Sequence, residues 1–183
     1  MTGDQMSRDI EGLMRILDRH FDSDRYDAVI LDTEWITLEP ITEQLAEVAL
    51  DRARALVMVG RLDEAIAISE SAAKAVQRAR SRAAWLEQSL LIALTRWYSK
   101  KGSWGMVLDY SSRLLRDDAP EYRSVAQFLH AYALYRTGEV RLALDAFRKC
   151  DVEQYWVDGS LQETVVLRRI CERALLHIEG DED

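Results

Sequence analysis

Apolar residues return every three or four positions along almost the whole chain: Ile10, Leu13, Met14 and Leu17 in one stretch, then Ala46, Ala49, Leu50, Ala53, Leu56 and Val57 in another. That spacing winds one apolar stripe along a helix and differs from the strict alternation of a half-buried strand. It predicts helices near 6–21, 25–37, 41–59, 62–80, 82–100, 104–117, 120–136, 140–150 and 160–178. The connections are short, so neighbouring helices run antiparallel. Only Pro40, Pro120 and eight glycines interrupt the pattern and there is no Asn, too few turn formers for an all-β sandwich or barrel.

The connections share a chemistry. Asp24 precedes Arg25-Tyr26-Asp27-Ala28, Gly60 precedes Arg61-Leu62-Asp63-Glu64-Ala65, Gly102 precedes Ser103-Trp104-Gly105-Met106-Val107, and Gly138 precedes Glu139-Val140-Arg141-Leu142-Ala143. Glycine suits such a place because a chain leaving a helix tightly needs a left-handed residue. The turns recur at intervals of 36, 42 and 36 residues, a period that on a helix-turn-helix background marks a helical repeat. Small or apolar residues flank them at matching distances: Ala53, Leu56, Ala65 and Ala72 around Gly60, and Ala131, Leu134, Ala143, Phe147 and Cys150 around Gly138.

These residues resemble the tetratricopeptide repeat (TPR) motif. The resemblance implies an all-α, TPR-like α-solenoid of antiparallel helix pairs with a concave binding face, in a single domain spanning 1–183. Repeat-like units fall at about 10–36, 46–79, 88–120 and 124–151. The match is good in the second and fourth units. The third has Thr95 and Val107 where small residues are usual, and the first has Leu17 at a small-residue position and Asp24 in place of glycine. The extra residues between the second and third turns lengthen the helices at 62–80 and 82–100, since Ala72 to Gln77 contains no breaker. A stack of helix pairs needs a cap, which the helix near 160–178 supplies with Leu161, Val165, Ile170, Cys171, Ala174, Leu175 and Ile178; residues 179–183 form an acidic tail.

Charge and composition narrow the function. The chain carries 24 Lys and Arg against 32 Asp and Glu, a net −8, which argues against nucleic acid as a partner despite a local basic stretch at Lys74, Arg78, Arg80 and Arg82. Residues 1–8 contain no apolar leader core, and no window reaches the roughly 18 apolar residues of a membrane span. The expected location is cytoplasmic, with Cys150 and Cys171 as free thiols that pack like small apolar residues. His20, His130 and His177 stand singly, outside any metal-ligand spacing, and neither a phosphate-cradling glycine loop nor a nucleophile elbow is present. The expectation is a non-enzymatic protein without cofactor or metal.

The aromatic residues carry more. Trp104 and Tyr26 follow their turns at the position that resembles the family's packing site, so both are expected in the core. The repeat register then places Leu50, Arg54, Val57 and Met58 on the concave surface, followed by Ile92, Arg96, Ser99 and Lys100 and by Phe128, Tyr132, Tyr135 and Arg136. Arg54 and Arg96 occupy equivalent places in successive units. Guanidinium groups across an apolar and aromatic groove suit an acidic peptide; alternatively both pair with neighbouring carboxylates in water, at about 0–1 kcal/mol each. The chaperone-tail clamp of some family members relies on Asn and Lys. A groove with no Asn and only Lys100 departs from it.

The function that follows is a protein-interaction module, adaptor or chaperone-like, holding a segment of a partner protein, possibly an acidic one, in the groove. Its build is similar to that of secretion-system chaperones made of such repeats. The alternatives are a structural or regulatory subunit that self-assembles, with a homo-oligomer possible, or docks in a larger complex, and a small-molecule sensor using Trp97, Tyr98 and the arginines.

Overall fold

A computed structural model describes residues 3–35, 43–79, 84–116, 120–157 and 159–180. Its elements are α1 (Gly3–Phe21), α2 (Tyr26–Asp32), α3 (Glu43–Met58), α4 (Leu62–Ala79), α5 (Ala84–Lys100), α6 (Trp104–Arg116), α7 (Pro120–Arg136), α8 (Val140–Arg148), β1 (Gln154–Val157), β2 (Ser160–Glu163) and α9 (Thr164–Gly180). The chain divides into two compact units, Met1–Leu90 and Leu91–Asp183, with the boundary inside α5.

The four turns are copies of one backbone device. Asp24, Gly60, Gly102 and Gly138 all take positive φ, at 54°, 83°, 73° and 86°. The N–H of the next residue reaches back five positions: Arg25 to the His20 carbonyl at 2.8 Å, Arg61 to Leu56 at 2.8 Å, Ser103 to Tyr98 at 2.9 Å, and Glu139 to Leu134 at 2.9 Å. The left-handed residue itself bonds three back, to Phe21, Val57, Ser99 and Tyr135. Two orphan carbonyls at each helix end are thereby satisfied, and the chain is turned back at once. Asp24 does the work of a glycine in the first unit, its carboxylate accepting the Tyr26 hydroxyl at 2.6 Å. A Cβ at Gly138 would meet no atom within 4 Å, so Gly138→Val tests the backbone alone. It should cost about 1–2 kcal/mol, read as a lower urea midpoint with an unchanged slope.

In the first unit α1 packs on α2 and α3, and α3 packs on α4. Leu17, Val29, Leu50, Leu56, Val76, Leu86 and Leu90 are buried, with Ala53 and Ala65 fully covered on either side of the second turn. In the second unit α6, α7, α8 and α9 pack in succession around Phe128, Leu129, Tyr132, Phe147, Leu167 and Cys171. Thr95 fits where a smaller residue is usual because it is wholly buried and its hydroxyl donates to the Leu91 carbonyl at 2.7 Å. Trp104 and Tyr26, expected in the core, are half-buried: Trp104 sits edge-on to Tyr132 with ring centroids 5.4 Å apart, and Tyr26 edge-on to Phe21 at 5.9 Å. Cys150 and Cys171 are free and buried, and burial pushes both thiols above the usual range.

The helix expected from 160 begins four residues later. Residues 154–157 and 160–163 pair as antiparallel strands, Gln154 opposite Glu163 and Val157 opposite Ser160, and Gly159 takes φ 74°. Arg80 and Arg82, the side chain of Ile178, and the acidic tail's side chains, 179–183, lie outside the residues or side chains described.

Candidate functional site

Arg96 and Lys100 lie four residues apart in α5 and so share one helix face. With Ser99 they form one wall of a cleft of about 510 Å³, floored by Leu129 of α7 and closed opposite by Tyr155, Trp156, Val157 and Gly159 of the hairpin. The alternation of β1 builds that wall. Tyr155 and Trp156 point to opposite faces: the Tyr155 ring tilts onto Phe128 at 5.3 Å, while Trp156 is 67% exposed. Val157 is buried and anchors the strand's end.

The hairpin is tied at its base. The Thr164 N–H donates to the Glu153 carbonyl at 2.8 Å and the Thr164 hydroxyl donates to the Val152 carbonyl. Arg168, one turn into α9, donates from Nε and Nη2 to the Phe147 carbonyl at 2.8 and 2.5 Å and from Nη2 to the Cys150 carbonyl at 3.4 Å. A two-stranded hairpin is marginal alone; these bonds and the Tyr155 and Val157 contacts hold it in place. Among the described residues lining the cleft, both charged groups are cations.

The groove residues expected from the register separate into groups. In the first unit Leu50 is buried, Val57 half-buried and Met58 exposed. Arg54 pairs with Asp51 at 2.9 Å, the alternative that the sequence left open. Asp51 is buried, and that burial raises its carboxyl above the usual range in spite of Arg54. In the second unit Ile92, Phe128 and Tyr132 are buried and Tyr135 half-buried; Phe128 lies under Tyr155 and Tyr132 against Trp104, so neighbouring rings cover what the register alone leaves open. Arg136 stacks its guanidinium 4.6 Å from the Trp104 ring centroid and bonds the Tyr132 hydroxyl at 3.4 Å. Arg96, Ser99 and Lys100 reach the cleft. The hairpin residues Tyr155 and Trp156 were not anticipated, although Asp158-Gly159 between Tyr-Trp-Val and Ser-Leu-Gln is a hairpin signal in the sequence.

Another face of α7 borders a second cleft, of about 570 Å³, lined by Arg123, Gln127, His130 and Leu134 with Leu142 and Lys149 of the α8 region. The Ser111 hydroxyl lies 2.6 Å from the Val107 carbonyl, to which it can donate, and 3.0 Å from His130 Nδ1. His130 therefore links α6 and α7 through its contact with Ser111. Burial lowers its pKa below 6.5. The unfolded chain then binds the proton more readily, so this contribution to stability is fully present above pH 6.5 and is lost as the pH falls from 6.5 through the lowered value. Urea titrations should show stability falling over that window, and His130→Gln should flatten the fall.

Among the described residues no helix is long and apolar enough to cross a membrane, and no group of three or more His, Cys, Asp or Glu could hold a metal ion. Helix pairs turned by repeated left-handed turns make this an all-α, TPR-like α-solenoid. Two solved structures with this fold are MamA AMB-1, with 16% identity, a TM-score of 0.58 and coverage of 74% of this chain and 73% of that one, and MamA MSR-1, with 16% identity, a TM-score of 0.58 and coverage of 76% and 73%. No protein-family model and no curated protein matches the chain.

Proposed function

We propose that the protein is a non-enzymatic interaction module, an adaptor or chaperone-like protein, that holds an acidic segment of a partner protein in the cleft between α5 and the hairpin. The observation that carries this reading is the pairing of two cations, Arg96 and Lys100, with an exposed Trp156 across one apolar-floored cleft. An exposed tryptophan beside arginine is the composition of a binding hot spot, and the cations favour carboxylates. The chain as a whole is acidic, so a cationic cleft also gives an acidic segment one place to dock. The same reading puts the protein in the cytoplasm, where free thiols such as Cys150 and Cys171 persist.

The test is selection of binders from a random peptide library. Wild type should enrich peptides rich in Asp and Glu, and the double variant Arg96→Glu/Lys100→Glu should bind the selected peptide at least about tenfold more weakly, a loss of about 1.4 kcal/mol. Enrichment without acidic bias, no enrichment, or equal binding by the double variant contradicts the proposal. A second reading, self-assembly, is favoured by α9, where Val165, Val166, Ile170 and Leu176 are exposed; light scattering distinguishes a dimer from a monomer.

A further inference from the structure

We infer that the partner segment lies in the cleft as an extended strand, adding itself to the free edge of β1. This rests on the cleft reading above and specifies how the segment is held.

The hydrogen-bond register of the hairpin identifies the edge. Glu153 and Thr164 form a bonded pair through the Thr164 N–H. Bonded and non-bonded pairs alternate along an antiparallel ladder, so Tyr155 with Gln162 and Val157 with Ser160 are bonded pairs, whereas Gln154 with Glu163 and Trp156 with Leu161 are not. The backbone N–H and C=O of Gln154 and Trp156 consequently point away from β2. Among the described residues these groups have no hydrogen-bond partner. β1 contributes Tyr155, Trp156 and Val157 to the cleft wall and β2 contributes none, so the Trp156 part of the open edge borders the cleft, whereas Gln154 lines a separate cleft with Glu163.

Edges of this kind are templates for another strand. An incoming strand would satisfy the Trp156 groups with its backbone, which gives affinity without sequence preference. Its alternate side chains would supply the preference. Residues two apart on a strand are separated by about 6.8 Å, close to the roughly 6 Å rise from Arg96 to Lys100, so one face of the strand can offer a carboxylate to each cation. The opposite face meets the hairpin's own exposed ring, Trp156. A helical ligand has no backbone donors or acceptors left for this edge, which is why the geometry favours an extended one.

Two measurements use the peptide selected on wild type. Trp156→Ala removes the ring and keeps the backbone N–H; Trp156→Pro removes both. Proline is tolerated on an edge whose N–H faces outward, and this N–H takes no part in the β1 and β2 ladder. Strand addition predicts that the proline variant binds about tenfold more weakly than the alanine variant. Because a proline variant can also disturb the hairpin, the second measurement leaves the protein untouched: single N-methylation along the peptide should weaken binding at every other position and spare those between. Equal binding by the two variants together with no alternation in the N-methyl series overturns strand addition. If charge reversal at Arg96 and Lys100 still abolishes binding in that case, the cleft reading stands and only the mode of binding is wrong; if charge reversal is silent, the reading itself fails.

Discussion

Phe128→Ala is expected to destabilise the second unit by about 3–5 kcal/mol, the range for deleting a buried phenylalanine side chain. Phe128 is fully buried, and three rings meet it: Tyr132 at 6.2 Å, Phe147 at 6.0 Å and Tyr155 at 5.3 Å. These come from its own helix, from α8 and from the hairpin, so no single neighbour can move in to fill the space without breaking contact with the others. Urea unfolding checks the size of the loss; a change below about 1 kcal/mol would show that the three elements do not meet on this ring. Since Tyr155 rests on it, the same variant should also weaken peptide binding at urea-free conditions.

Arg168→Met is expected to cost about 1.5–3 kcal/mol, the scale of hydrogen bonds to a charged group; the Phe147 carbonyl keeps the Cys150 N–H at 3.3 Å. The guanidinium of Arg168 caps the C-terminal end of α8 through the Phe147 and Cys150 carbonyls. The last carbonyls of a helix have no partner within it and carry the negative end of its dipole. Methionine keeps most of the chain's length and apolar packing but offers no donor. Arg168→Lys keeps the charge and loses the planar fork, so it should fall between the two. Equal urea midpoints for all three proteins would contradict this account of how α9 is fastened to α8.

The repeated turns were legible in the sequence because each is a local chemical fact. A residue able to adopt a left-handed conformation, followed by a polar residue and then an apolar run, specifies the same pair of backbone hydrogen bonds wherever it occurs, even with Asp24 in glycine's place. Arg96 and Lys100 were legible for a similar reason, since four-residue spacing fixes a shared face. What the register could not supply was coverage. Phe128 and Tyr132 belong to the face it indicated, yet Tyr155 and Trp104 lie over them, and contacts between residues 27 or 28 positions apart leave no mark in a helical period. The hairpin was obscured by the apolar spacing of Leu161 and Val165, which reads as the first turn of α9; the Asp158-Gly159 pair between two short β-prone runs was the competing signal. Arg54 shows the opposite case, a repeat-equivalent arginine whose charge is engaged by Asp51 three residues away.

The most direct test of the cleft follows the indole N–H resonances of the five tryptophans while the selected acidic peptide is titrated into the ¹⁵N-labelled protein. Trp156 alone among them lines the cleft, whereas Trp35 and Trp85 belong to the first unit. The account predicts a saturable shift of the Trp156 indole, lost in Arg96→Glu/Lys100→Glu, with Trp35 and Trp85 unmoved. A titration that shifts Trp35 or Trp85 and leaves Trp156 in place would contradict it.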